Sequence, residues 1–197
     1  MTPDLFLALL GFAFVTSVTP GPNNMMLLAS GVNFGVRRTL PHMLGISCGH
    51  SLMVFLVGLG LAGLLHSIPQ AMTALKFASV AYMLWLAWKI AHSAAPDASR
   101  GRAKPFSFLQ AAAFQWVNPK AWAMALGATS AYVVNPSVTA YALVALSFAM
   151  VNLPSVSLWA WAGERLRLWL NNPQRLTIFN WTMAVLLVAS LWPVLHM

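Results

Sequence analysis

Apolar residues run through this chain in long blocks separated by short polar stretches, at about 5–33, 41–65, 72–91, 106–133, 138–162 and 176–195. Each block reaches the roughly 20 residues that a helix needs to cross a bilayer core of about 30 Å. The runs are continuous, whereas strands of a membrane barrel alternate apolar and polar positions. Because hydrocarbon tolerates only helices and closed barrels, the pattern predicts an all-α integral membrane protein with six transmembrane helices. The stretch His92 to Pro105 (HSAAPDASRGRAKP) has no apolar periodicity and divides the chain near its centre. One transmembrane domain over 1–197 is therefore expected, with halves at about 1–92 and 106–197 and a cytoplasmic linker at 93–105.

Composition agrees with the pattern. Hydrophobic residues make up 59% of the 197 and charged residues 7%, against about a quarter charged in soluble domains. Cys48 is the single cysteine, so no disulfide can form within the chain.

The net charge of +8, from 11 Lys+Arg against 3 Asp+Glu, would suit nucleic acid only if the cations gathered on one solvated face. They instead punctuate the loops: Arg37 and Arg38, then Arg100, Arg102 and Lys104, then Arg165, Arg167 and Arg175. The loops His66–Ala71 and Val134–Ser137 carry no Lys or Arg. The positive-inside rule then places both termini in the periplasm of a bacterial inner membrane, and no nucleic-acid partner is expected. Asp4 and the lack of an N-terminal cation agree, and they argue against a cleaved signal peptide. Trp85, Trp88, Trp159, Trp161, Trp169 and Trp192 stand near block ends, as interfacial aromatic belts require. Trp116 and Trp122 lie deeper and are expected to pack.

Two blocks are too long for one straight span. At about 1.5 Å per residue, Leu5 to Val36 would run about 48 Å and Phe106 to Val134 about 44 Å. Each carries a helix breaker past its middle, Thr19-Pro20-Gly21-Pro22-Asn23 in the first and Asn118-Pro119-Lys120 in the fourth. The prolines leave the carbonyls of Thr16, Val18 and Gln115 without helical partners, and in a membrane such groups must be satisfied or face a cavity. Halves with an odd number of spans enter the membrane from opposite sides, which makes the expected fold a 3+3 inverted repeat with broken first and fourth helices. Matched breaks in inverted halves point to a transporter's binding site near the midplane. A helix starting near Pro22 would aim amides and the positive end of its dipole at the break, which suits a substrate carboxylate.

Lys120 adds to this. It lies deep in its span, where a lysine costs about 2.5–3.5 kcal/mol even on the mild insertion scale, and no carboxylate lies in any span. Its partners must be freed carbonyls, a helix C-terminus or a substrate carboxylate. The candidate substrate-binding residues are thus Thr19, Pro20, Gly21, Pro22, Asn23, Asn24, Asn118, Pro119, Lys120 and Asn152. Asn23, Asn24, Asn118, Asn152 and Gln115 could grip an ammonium or a small polar side chain, or bond helix to helix. His50 is the titratable candidate for coupling, and a hydrogen bond across a Gly-rich helix contact is its alternative role. Gly45 and Gly49 have small-xxx-small spacing, which fits a contact inside the chain or a homodimer interface.

TPGPNN at 19–24, the Gly-rich second span beginning Gly45-Ile46-Ser47-Cys48-Gly49, AYMLWLAWKI at 81–90 and WVNPKAW at 116–122 resemble the LysE/RhtB superfamily of amino-acid exporters. The opening MTPDL, TPGPNN and LAWKIA at 86–91 are most similar to its cysteine/O-acetylserine exporter branch. The resemblance implies efflux of a neutral amino acid or derivative across the inner membrane, driven by an ion gradient. Export of homoserine/threonine or of basic amino acids is the alternative within the superfamily. Homoserine/threonine exporters carry an Asp in the fifth span where this chain has Asn152, which weakens that assignment and leaves carboxylate-based proton coupling without a residue.

No Walker-type motif, H-E-x-x-H or G-x-S-x-G occurs, so neither an ATP site, a cofactor, a metal centre nor enzymatic catalysis is expected. A channel or a non-transporting membrane subunit is the more distant alternative. The expected partners are a small amino-acid substrate and the lipid bilayer.

Overall fold

A computed structural model describes residues 1–93, 104–170 and 172–192. Its elements follow the apolar blocks, and the ends are set by local chemistry. Helix α1 (Pro3–Val18) starts where Thr2 Oγ1 accepts from the Leu5 amide at 3.3 Å and Pro3 occupies the first turn. It stops ahead of Pro20, and α2 (Pro22–Phe34) leaves at a bend of 55°. Gly35, at φ 78°, separates α2 from α3 (Val36–Leu56). Arg37 and Arg38 were expected in a loop but stand in the first turn of α3, because one glycine in the left-handed region suffices to turn the chain.

After α3 a wide turn, Val57–Leu61, leads into α4 (Ala62–His66), with Gly60 at φ 106°. Helix α5 covers Pro69–Ala91. The fourth block is split: α6 (Phe108–Phe114) opens on a Ser107–Gln110 capping box and passes through a tight turn at Gln115–Val117, and α7 (Pro119–Tyr132) follows. Helix α8 (Val138–Leu166) is capped by Ser137, and α9 (Pro173–Ala189) by Asn172. The central part of the expected linker lies outside the described residues.

Among the described residues the chain is all-helical. Val36–Leu65, Thr73–Ala91 and Val138–Leu166 are each long and apolar enough to cross a membrane, and the bent pair α1–α2 makes a fourth such segment.

Helix α8 packs against α1, α2 and α3; α3 also packs on α6, and α5 on α9. Apolar side chains gain little by leaving lipid, so close backbone approach has to supply the packing energy. Gly31 and Gly163 provide it between α2 and α8: a Cβ on Gly31 would run into the Ala160 carbonyl, and one on Gly163 into the Leu28 carbonyl. Gly45 and Gly49 do the same between α3 and α6, against Phe108 and Ala112. Their contact is thus within the chain.

Candidate functional site

Both helix breaks are resealed by side chains. In the first, Thr16 O accepts from Thr19 Oγ1 at 3.1 Å and Val18 O from Trp159 Nε1 at 3.1 Å. Asn24 Nδ2 donates to Ser17 O at 2.9 Å and to Thr19 O at 2.7 Å. In the second, Gln115 O accepts from the Asn118 amide at 3.3 Å, Trp116 O from Trp122 Nε1 at 2.9 Å, and Asn118 Oδ1 from the Lys120 amide at 3.1 Å. The three carbonyls expected to be orphaned are therefore all bonded. Trp159 serves the broken end of α1, its indole N–H being the donor that Val18 O would otherwise lack. Trp116 and Trp122 pack edge to face at 6.5 Å, as the sequence suggests.

The two breaks also meet each other. Lys120 Nζ donates to Thr19 O at 2.7 Å, Thr19 Oγ1 at 2.9 Å and Pro20 O at 3.3 Å. Gly21 makes room for it, because a Cβ there would fall 2.7 Å from Lys120 Cδ. Asn23 and Gln115 bond to each other, and Gln115 Nε2 also donates to Ala111 O at 2.9 Å. Among the described residues no side chain caps α2, whose N-cap is Gly21, so the positive end of its dipole faces the break.

At this meeting point lies a cavity of about 320 Å³, its open mouth included. Of the sequence-derived candidates, Gly21, Asn23, Asn24, Asn118, Lys120, Asn152 and His50 line it. Thr19 holds Lys120 instead of lining the cavity, and Pro20, Pro22 and Pro119 shape the breaks.

Thr16, Ser17, Ala121, Met124 and Val156 also line the cavity and were not singled out from sequence. Helical spacing is the signal that would find two of them: Met124 is four residues after Lys120, Val156 four after Asn152, and i, i+4 pairs share a helix face. Asn152 Nδ2 donates to Ser17 Oγ at 3.2 Å, while its Oδ1 has no partner among the described residues. The helix-to-helix hydrogen bond expected as His50's alternative role is not made: neither ring nitrogen has a partner there, and the ring packs edge-on against Phe148 at 5.1 Å.

Among the described residues the cavity thus offers one cation, several carboxamides, an imidazole and an uncapped helix start, with no carboxylate in its wall. That combination suits an anionic group on a small polar molecule.

Comparison with known proteins agrees with the geometry. Residues 14–190 match the family model for the LysE type translocator. The chain is 37% identical over 168 residues to the cysteine/O-acetylserine efflux protein of Escherichia coli strain K12, covering 83% of this chain and 85% of the relative. The protein of that name from Shigella flexneri matches with the same identity and coverage, and that of Escherichia coli O6:K15:H31 is 36% identical. No solved structure matches. With its helix breaks, its cavity lysine and a family match spanning most of its length, the chain belongs to the LysE type translocator family.

Proposed function

We propose that this chain exports a small neutral amino acid or derivative across the bacterial inner membrane, with cysteine and O-acetylserine, named for its relatives, as the first substrates to test. The reading includes six spans in a 3+3 inverted repeat, periplasmic termini and a cytoplasmic linker. The helix pairings support the repeat. Exchanging the halves turns the contact of α1–α2 with α8 into that of α6–α7 with α3, and returns the α3–α8 and α5–α9 contacts to themselves; all of these pairings are present.

The observation that carries the proposal is Lys120, an ammonium held among the described residues by neutral oxygens of Thr19 and Pro20, beside the uncapped start of α2. A substrate carboxylate arriving there would replace neutral acceptors with an ionised one, and such charge-assisted bonds are roughly twice as strong. It would also accept from the first-turn amides of α2. Thr19, Gly21, Asn23, Asn24 and Asn118 support that position, and Asn152 also lines the cavity. Among the described residues no carboxylate lines the cavity; its titratable side chains are His50 and Lys120, and with Lys120 assigned to the substrate carboxylate, His50 is the candidate for a coupling proton.

Counterflow in proteoliposomes, with a panel of amino acids and O-acetylserine, tests the proposal. Saturable uptake that Lys120→Ala and Asn23→Ala weaken is the expected result. Normal rates for every compound in both variants would overturn the site. Flux without saturation would indicate a channel, and no flux a non-transporting subunit.

A further inference from the structure

We infer that Asn152 and His50 form the subsite for the substrate's ammonium group. The inference rests on the exporter reading above and concerns other residues of the same cavity. An amino acid brings two charges, and Lys120 with the start of α2 answers only the carboxylate. The ammonium has three protons to place, in a wall that among the described residues has no Asp or Glu, so its acceptors there are neutral.

Several neutral acceptors are already used. Asn23 Oδ1 accepts from Gln115 Nε2 at 3.1 Å, Asn118 Oδ1 from the Lys120 amide at 3.1 Å, and Ser17 Oγ from Asn152 Nδ2 at 3.2 Å. Among the acceptors buried in the wall, two residues stand out. Asn152 is 4% exposed and His50 2% exposed, both line the cavity, and Asn152 Oδ1 and both ring nitrogens of His50 lack partners among the described residues. Buried polar atoms are nearly always bonded, so a cluster of three without partners needs a reason. A neutral imidazole presents one acceptor nitrogen, and the Asn152 amide, anchored to Ser17 through Nδ2, presents its oxygen.

The helix ends agree. Ser17 stands in the last turn of α1, at the negative end of that helix, whereas α2 begins at Pro22 with its positive end. A zwitterion laid across the break places its ammonium toward α1, Asn152 and His50, and its carboxylate toward α2 and Lys120. Free α-amino acids and their O-acylated derivatives then fit the site, and N-acylated isomers do not.

O-acetylserine and N-acetylserine, isomers that differ in whether the amine is free, make the test. Each competes against labelled cysteine in proteoliposome counterflow by the purified full-length protein. In the wild type O-acetylserine should compete at least about tenfold better, the scale of one charged hydrogen bond. Asn152→Ala and His50→Leu should bring that ratio close to one by weakening O-acetylserine alone. His50→Gln, which keeps an acceptor, should retain most of the ratio, and Asn152→Asp should enlarge it.

An unchanged ratio in Asn152→Ala and His50→Leu, or equal weakening of both isomers, would overturn the inference and leave the exporter reading standing. No saturable uptake by the wild type would overturn both. If the first two variants do not fold, Asn152→Asp decides, and a ratio that fails to rise overturns the inference.

Discussion

Asn23 and Gln115, 92 positions apart, exchange two amide hydrogen bonds, Asn23 Nδ2 to Gln115 Oε1 at 2.8 Å and Gln115 Nε2 to Asn23 Oδ1 at 3.1 Å. The pair joins the first turn of α2 to the tight turn after α6, so it fastens one broken span to the other. Interhelical hydrogen bonds in membranes average about 0.6 kcal/mol and reach about 1.7. Asn23→Ala and Gln115→Ala should each lower stability, and the double variant should cost less than their sum, because neither single variant leaves both amides paired. Thermal melting in detergent over the full double-mutant cycle measures the coupling. Strict additivity would show that the pair contributes nothing.

Lys120 should behave differently in stability and in transport. Its ammonium is held by neutral oxygens, and Thr19 O keeps a second donor in Asn24. Lys120→Met removes a charge that costs about 2.5–3.5 kcal/mol near the midplane, so the melting temperature should stay level or rise. Transport should fall, and only for substrates with a carboxylate. The half-saturating concentration of serine or cysteine should increase by about tenfold or more, the scale of one charge-assisted hydrogen bond, while competition by serinamide stays unchanged. Equal losses for acid and amide would refute the carboxylate assignment.

The helix breaks were legible because proline chemistry is local. TPGPN and NPK identify which amides are missing, and the structure bends or tightens the chain at those positions. Which side chains reseal the breaks was not legible. Trp159 reaches Val18 across 141 positions and Lys120 reaches Thr19 across 101, and such pairings depend on how helices lie against each other. Arg37 and Arg38 show the opposite limit. Loop bias assigns them to one end of the molecule but cannot say whether a loop or a first helical turn carries them.

The α2–α8 seam should tolerate no added methyl group. Gly31→Ala would set a Cβ into the Ala160 carbonyl, and Gly163→Ala one into the Leu28 carbonyl. Both obstacles are backbone, so the helices themselves must separate, at about 1–3 kcal/mol as in other overpacked sites. Gly11 provides the control: its Cβ position has nothing within 4 Å, and Ala is favoured over Gly inside a helix by about 0.8–1.0 kcal/mol. Gly11→Ala should therefore melt at or above the wild-type temperature, and Gly31→Ala and Gly163→Ala several degrees below it. Equal melting temperatures for all three would show that the seam can relax.

Among the described residues, members of the three basic clusters lie toward one end of the molecule. Glu164 Oε1, beside Arg165, accepts from the Val36 amide at 3.0 Å, next to Arg37 and Arg38. Phe106, two residues after Lys104, packs against His42 of α3 with ring centroids 5.2 Å apart. Cations gathered at one end resist translocation, so that end should be cytoplasmic and the C-terminus periplasmic. Alkaline phosphatase fused after residue 197 should be active in intact cells, and a green fluorescent protein fused there should be dark. The converse pattern would invert the molecule in the membrane and reverse the direction in which its cavity delivers substrate.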